Sequence, residues 1–283
     1  SGEALAQLTA ERANPKTDVW FGGTGDPHLQ AAEQGLTEVY QSSALPKLHD
    51  WARRMAAAAE HKSVAVYLGP LGLAYNPEVL ARKKLPAPRC WKDLAKPEYK
   101  GEVQNSNPNS SGTAYTALTT FVELWGEEPA FQFMKAMHPN VSEYTRSGAG
   151  PVKNAARGET AIAIGFLALA AGEIRLGLPL KTVVPCEGTG YEIGAMSLVK
   201  GARNADAAKR FYEWSLTPAS QALAAQSGSY TIPSNVDTPL HPLMPPAAEM
   251  KFVQHDLKKF GSKTERTRLI ARWERDVLQG AGK

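Results

Sequence analysis

Seven residues, Asn107-Pro108-Asn109-Ser110-Ser111-Gly112-Thr113, carry the sharpest chemical signal in the chain. They stand between a β-type run, Gly101 to Asn105, and an apolar helical stretch, Ala114 to Leu124. The first N–H groups of a helix have no intrahelical acceptor, and the helix dipole favours negative charge there. The hydroxyls of Ser110, Ser111 and Thr113 add donors, and Gly112 lets the backbone approach a bound group closely. The chemistry on offer is capture of an oxyanion. Taken alone, the same residues fit a plain serine-rich helix cap equally well. No Gly-Lys-Ser/Thr follows at Walker A spacing, so a nucleotide-binding P-loop is excluded.

Two similar turns accompany it. Gly22-Gly23-Thr24-Gly25 and Arg146-Ser147-Gly148-Ala149-Gly150 each follow a strand candidate with small, donor-rich residues. Such turns at the carboxyl ends of strands in an open sheet can ring an anion. A fourth turn, Glu187-Gly188-Thr189-Gly190-Tyr191-Glu192, supplies two carboxylates and a phenol. Paired carboxylates can serve acid/base catalysis or accept hydrogen bonds from an ammonium or hydroxyl. A binding role is favoured, because no nucleophile, base and orienter assemble around them. The six histidines are scattered without HxxxH or HExxH spacing, and there is no Gly-x-Ser-x-Gly elbow or dinucleotide fingerprint. No cofactor or metal is expected, and the chain reads as a binder and not as an enzyme.

Strands and helices alternate around these turns. Residues 2–13 form an amphipathic helix stopped by Asn14-Pro15, Asp18 to Phe21 a strand, and Pro27 to Gln34 a helix closed by Gly35. Leu45 to Ala59 is helical, and Val64–Leu68 with Gly72–Tyr75 is β-rich. Val79 to Leu94 reads as a helical hairpin, followed by Gly101–Asn105 (strand), Ala114–Leu124 and Gly126–Met137 (helices) and Val141–Tyr144 (strand). Beyond the helix from Gly150 to Arg157 lie strands at Thr160–Gly165, Lys181–Pro185 and Ile193–Val199. Helices at Ala205–Ser215, Pro218–Gln226, Ala247–Phe260 and Thr264–Leu278 complete the chain. The alternation predicts α/β layering with mostly parallel sheets.

With 283 residues, the chain accommodates one large domain or two smaller ones. Its 43% hydrophobic and 21% charged residues exclude disorder. The net charge of +4 is spread along the chain, and the basic residues near Lys258–Lys259 and Arg266–Arg268 alternate with acids, so nucleic acid is not an expected partner. The longest apolar stretch, Ala161 to Ile174, is interrupted by Gly165, Gly172 and Glu173 and falls short of a membrane span. Cys90 and Cys186 lack metal-ligand spacing; two unpaired thiols are the simpler expectation, a single disulfide in an oxidising compartment the other.

Several segments, in order, resemble type II periplasmic solute-binding proteins of ABC importers. They are Asp18-Val19-Trp20-Phe21-Gly22-Gly23-Thr24-Gly25-Asp26-Pro27, Trp91-Lys92-Asp93-Leu94 with Pro97-Glu98-Tyr99-Lys100-Gly101, and Asn107 to Thr113. Ala156-Arg157-Gly158-Glu159, Glu187 to Gly194, and Lys200-Gly201-Ala202-Arg203-Asn204 with Ala207-Ala208 and Gln221 continue the match. The similar branch includes binders of ferric ion, hexose phosphates and 2-aminoethylphosphonate. The resemblance implies a two-lobed α/β fold with a ligand cleft between lobes: lobe one over 1–74, lobe two over 75–192, and a return to lobe one over 193–283. Hinge crossings are implied near Leu73–Tyr75 and Glu192–Ala195. It implies a monomer in the periplasm that delivers a small anionic solute to a membrane permease by lobe closure. The family's first strand–helix–strand unit normally precedes a Ser-Gly-Glu like Ser1-Gly2-Glu3, so the start of lobe one, with any signal segment, is expected to be missing from this sequence.

Two departures narrow the ligand. The ferric binders use adjacent tyrosines, and this chain has no Tyr-Tyr pair; a ferric receptor would have to draw on Tyr191, Tyr230 and Glu187. The hexose-phosphate binders carry Phe-x-His-Asp where Phe166-Leu167-Ala168-Leu169 stands here. The favoured ligand is a small phosphonate or phosphate ester, with 2-aminoethylphosphonate as the example. Ser110, Ser111, Gly112 and Thr113 would hold the oxyanion with Thr24, Gly25 and Ser147. Glu187 or Glu192 would receive a cationic end, Tyr191 would pack on the carbon skeleton, Arg146 would lend charge, and Tyr230 would line the cleft. The remaining alternative is an enzyme using Glu187 and Glu192 as acid and base.

Overall fold

The computed structural model describes residues 2–246 and 250–280. The chain divides into two compact units. Unit 1 comprises residues up to Gly69, Glu192–His241 and Asp256–Ser262; unit 2 comprises Pro70–Tyr191, Pro242–His255 and the chain from Lys263 onward.

Unit 1 opens with α1 (Gly2–Ala10), β1 (Val19–Thr24) and α2 (Gly25–Glu33). It continues through α3 (Asp50–Ala58) into the first half of β2 (Val64–Tyr75). Later come β7 (Tyr191–Leu198), α9 (Ala205–Ser215), α10 (Pro218–Gln226), the short β8 (Ile232–Pro233) and α11 (Leu257–Gly261). β1 pairs antiparallel with β7, and the first half of β2 pairs antiparallel with β8. Leu8, Trp20, Ala31, Leu36 and Val199 pack into one apolar cluster, so the strand face and helices α1 and α2 share a core.

Unit 2 takes the second half of β2, then α4 (Pro77–Lys83), β3 (Val103–Ser106), α5 (Gly112–Trp125), α6 (Glu127–Met137) and β4 (Val141–Thr145). It adds α7 (Gly150–Ala156), β5 (Ile162–Phe166), α8 (Leu167–Arg175), β6 (Lys181–Val183) and α12 (Lys263–Trp273). β3 is parallel to both β4 and β5, while β2 runs antiparallel to β5 and β6. Helices α5, α6 and α7 are therefore the crossovers that parallel neighbours require. The core is aromatic, with the Phe121 ring 5.2 Å from Trp91 and 5.0 Å from Phe133.

The expectation of mostly parallel sheets describes β3, β4 and β5; the pairings of unit 1 are antiparallel, because β7 and β8 are return strands. The helical hairpin expected over Val79–Leu94 is corrected to α4 alone. Asn76 caps it by accepting from the N–H groups of Glu78 and Val79, and Lys84 ends it in the left-handed region at φ 56°. Pro86 and Pro88 then block further helix, leaving a 3-10 turn at Trp91–Ala95. The helix expected over Ala247–Phe260 begins at residues outside those described. From Met250 to Asp256 the chain is irregular, with a bridge between Phe252 and Thr189, and only α11 is helical.

The return of everything after residue 193 to the first lobe is also corrected. α12 belongs to unit 2, where Trp273 meets the Tyr144 ring at 5.0 Å and Arg268 and Arg272 bind Glu127. Cys90 and Cys186 form a disulfide with their Cα atoms 4.8 Å apart, so the expectation of two unpaired thiols gives way to the bridge. No helix among the described residues is long and apolar enough to cross a membrane.

Candidate functional site

The Asn107–Thr113 turn sits where β3 ends and α5 begins. Asn107 organises it. Its carbonyl accepts from the N–H groups of Ser110 (3.1 Å) and Ser111 (2.9 Å), and its side chain accepts from Asn109 N–H at 2.9 Å. Ser111 is the N-cap of α5, its Oγ accepting from Ala114 N–H at 3.3 Å. The amides of Gly112 and Thr113 precede the first intrahelical bond and remain available as donors. Ser110 is committed differently, since its hydroxyl donates to the Arg146 carbonyl at 2.8 Å.

That bond ties the turn to its neighbour on the adjacent parallel strand. The Arg146–Gly150 turn follows β4 and is pinned by Ser147: its carbonyl accepts from Thr145 Oγ1 (2.8 Å), Ser106 Oγ (3.2 Å) and Gly150 N–H (3.0 Å). Ser147 Oγ accepts from Ala149 N–H and keeps its own proton to donate. Gly148 closes the arrangement. A Cβ built there would lie 2.2 Å from Thr113 Oγ1 and 2.9 Å from Ser111 Oγ. The two hydroxyls thus converge on a stretch of bare backbone, and both side chains are buried, Ser111 at 4% and Thr113 at 7% exposure. Unit 2 brings Ser111, Gly112, Thr113 and Ser147 together, with Gly148 as a member that sequence reading singled out only as part of a turn.

The other expected residues of unit 2 serve the chain itself. Glu187 Oε2 accepts from Trp91 N–H (2.8 Å) and Oε1 from Lys92 N–H (3.0 Å), so its carboxylate caps the 3-10 turn beside the disulfide. Cys90, Cys186 and Glu187 come close enough to suggest a metal cluster, but the two sulfurs are bonded to each other and no thiolate remains. Tyr191 is buried, 5.3 Å from the Phe252 ring and 6.0 Å from that of His255. His255 Nδ1 in turn contacts both Glu123 oxygens at 2.9 and 3.0 Å.

Unit 1 has its own donor turn. Gly22 and Gly23 adopt φ of +80° and +83°, and Thr24 stands as the N-cap of α2, which starts at Gly25. His28, fully buried, contacts the Gly22 carbonyl through Nε2 at 3.1 Å. Tyr67 also meets the turn: the Gly23 N–H donates toward its oxygen, and its ring covers Gly194, where a Cβ would fall 2.0 Å from the ring carbon Cζ. Burial, and secondly Glu192, push the Tyr67 phenol up. Glu192 is raised to about 7, first by burial and then by the neighbouring Asp26. Tyr230 is buried against the His241 ring at 4.6 Å. Sequence reading missed His28 and Tyr67. Position 28 on the first turn of a helix that follows a glycine turn was a usable signal, whereas nothing local marks Tyr67.

An open α/β sheet flanked by helices carries its donor turns at strand ends, where such sheets bind small molecules. The family model of bacterial extracellular solute-binding proteins matches residues 14–258. The chain belongs to that family, the type II periplasmic solute-binding components of ABC transporters. It is 48% identical to an uncharacterized protein of Haemophilus influenzae over 279 residues, 98% of this chain and 81% of that one. The periplasmic binding protein AfuA from Actinobacillus pleuropneumoniae, solved with exogenous fructose-6-phosphate bound, is 45% identical with a TM-score of 0.87, covering 98% of this chain and 88% of AfuA. The periplasmic binding protein P5PA follows at 36% identity and TM-score 0.84, again over 98% and 88%.

Proposed function

We propose that this protein captures a small phosphate ester or phosphonate and hands it to an ABC permease. The observation that carries the reading is the convergence of Ser111 and Thr113 hydroxyls on the backbone at Gly148, at the start of the 14-residue helix α5. A phosphoryl group there would take the amides of Gly112 and Thr113, both hydroxyls, and the Ser147 proton, with Arg146 nearby in sequence for charge. In unit 1, Thr24 and the first amides of α2 from Gly25 are assigned to the ligand as a second donor set. AfuA, with fructose-6-phosphate, makes a sugar phosphate the first ester to test. The hexose part need not be shared, because Leu169 of the Phe166–Leu169 segment packs on an apolar cluster.

2-Aminoethylphosphonate is the second reading. Glu187 is withdrawn as its ammonium partner, but the Glu192–Asp26 pair would be relieved by a cation. Glu187 is likewise unsuited to be a catalytic base or a ferric ligand, because the Trp91 and Lys92 amides hold both its oxygens. The disulfide suits the oxidising periplasm. A monomer is the expected state.

The test is calorimetric titration of the purified protein with fructose 6-phosphate, 2-aminoethylphosphonate, inorganic phosphate and ferric citrate, with phosphorus NMR on the mixtures. Stoichiometric binding of a phosphoryl compound, weakened by Ser111→Ala and unaccompanied by new phosphorus signals, is expected. Binding of ferric citrate alone would overturn the reading, and release of inorganic phosphate would move the protein to the enzymes.

A further inference from the structure

His28 does more than fill the core of unit 1. Its Nε2 lies 3.1 Å from the Gly22 carbonyl and its Nδ1 2.8 Å from Ser197 Oγ on β7. A carbonyl only accepts, so Nε2 carries the proton, and in the neutral ring Nδ1 accepts from the serine hydroxyl. Trp20 stacks on the ring at 3.8 Å and 20°, fixing its plane. Burial brings the imidazole down to about 4, which keeps it neutral at physiological pH.

The turn it grips is one that needs an outside tie. Gly22 and Gly23 both have positive φ, and consecutive glycines lose more conformational freedom on ordering than any other pair. An untied turn would have to be ordered when ligand binds, and that ordering would weaken affinity. His28 sits on the helix that the turn leads into, so one hydrogen bond closes a loop from the third residue after Gly25 back to Gly22, and Ser197 anchors the loop to the sheet. The Tyr67 oxygen accepts from Gly23 N–H in the same turn.

We propose that His28 is a positioning residue for ligand capture: its Nε2–H holds the Gly22–Gly23 turn so that Thr24 and the first amides of α2 are presented in one fixed arrangement. The inference rests on the reading of Thr24 and Gly25 as ligand contacts. A glutamine at 28 can still donate to the Gly22 carbonyl, whereas a leucine fills the space without the bond.

The experiment compares wild type, His28→Gln and His28→Leu by amide hydrogen exchange and by calorimetric titration with fructose 6-phosphate and 2-aminoethylphosphonate. In His28→Leu the amides of Gly22 to Gly25 are expected to exchange about tenfold faster, with β7 protection unchanged. Its Kd is expected to rise about tenfold while His28→Gln stays within about threefold, the range one net hydrogen bond spans. Wild-type protection of Gly22–Gly25 in His28→Leu, or an equal affinity loss in both variants, would overturn the proposal. Thr24 and Gly25 amides whose exchange does not slow in the wild type at saturating concentrations of either probe would remove the underlying reading and the proposal with it. Slower exchange at Gly112, Thr113 and Gly148 under the same conditions would show that the unit 2 half of that reading still stands.

Discussion

The donor turns of the two units are built on different principles. In unit 2 the Asn107–Thr113 and Arg146–Gly150 turns follow neighbouring parallel strands and lock each other, Ser110 donating to the Arg146 carbonyl and Ser106 to the Ser147 carbonyl. No titratable side chain is among the groups that converge on Gly148. In unit 1 the Gly22–Gly25 turn is held by residues distant in sequence, Tyr67 and Ser197 through His28, and lies in a unit that also holds the half-buried Glu192 beside Asp26. The unit 2 turns are tied to each other, whereas the unit 1 turn depends on tertiary ties to β2 and β7. Unit 2 also carries a disulfide, and the described residues of unit 1 contain no second one.

The largest expected effect tests that covalent asymmetry. The bridge closes a loop of sequence separation 96, for which chain entropy alone suggests about 4.7 kcal/mol, and native bridges commonly contribute about 2–4 kcal/mol. Calorimetric melting of Cys90→Ser/Cys186→Ser should show unit 2 unfolding roughly 5–15 °C lower, with unit 1 unmoved. A shift of unit 1 instead would break the picture of unit 2 as the independently braced half.

Next in size is Gly148→Ala. The new methyl group would fall on Thr113 Oγ1 and Ser111 Oγ, so the cradle is filled and phosphoryl binding should weaken by about 100-fold, about 2.7 kcal/mol. Titration with fructose 6-phosphate and 2-aminoethylphosphonate reads this, and the loss should be the same for both, since both present the same group. Unequal losses would mean that Gly148 contacts the rest of the ligand.

Gly194→Ala is the matching change in unit 1. Its Cβ would enter the Tyr67 ring, forcing the ring off the Gly22–Gly23 turn at a cost of about 1–3 kcal/mol in stability. Thermal melting should record a drop of roughly 2–10 °C in unit 1. An unchanged melting temperature would show that Tyr67 is free to move and does not brace the turn.

These contrasts also explain what sequence could reveal. The unit 2 turn was legible because its members are contiguous: strand, asparagine turn, serine cap and helix follow one another from Val103 to Trp125. The family and its α/β alternation were legible for the same reason, as runs of local pattern. Glu187 was misleading because a carboxylate on a glycine turn looks free until Trp91 and Lys92, nearly a hundred residues earlier, point their amides at it. His28 and Tyr67 were invisible as partners because their shared turn is a tertiary fact. Helix α8 was hidden in the apolar run 161–174, because Ala168, Leu169 and Ile174 are apolar although only Leu167, Ala170 and Ala171 are buried, which blurs the period that separates strand from helix.

The smallest effect concerns Glu192 and has a definite sign. Its folded-state value of about 7 stands above the ordinary 4.5, chiefly through burial and secondly through Asp26, so the folded protein keeps a proton that the unfolded chain releases. The associated stability is therefore fully present below about pH 4.5, is lost as pH rises through about 7, and is gone above that. Glu192→Gln keeps the shape and removes the titration. It should melt with wild type near pH 4.5 and about 2–4 °C higher at pH 8, corresponding to about 1 kcal/mol after allowing for partial solvent access. Ser111→Ala in unit 2 should show no such pH-dependent gap. Ligand titration at pH 8 separates the two ligand readings as well. If an ammonium sits by this carboxyl, Glu192→Gln weakens 2-aminoethylphosphonate far more than fructose 6-phosphate, because only the former loses a charge partner. Equal weakening would assign Glu192 to a hydroxyl, and a melting curve that falls at pH 8 in the variant would show that the carboxylate is stabilised there by a group other than Asp26.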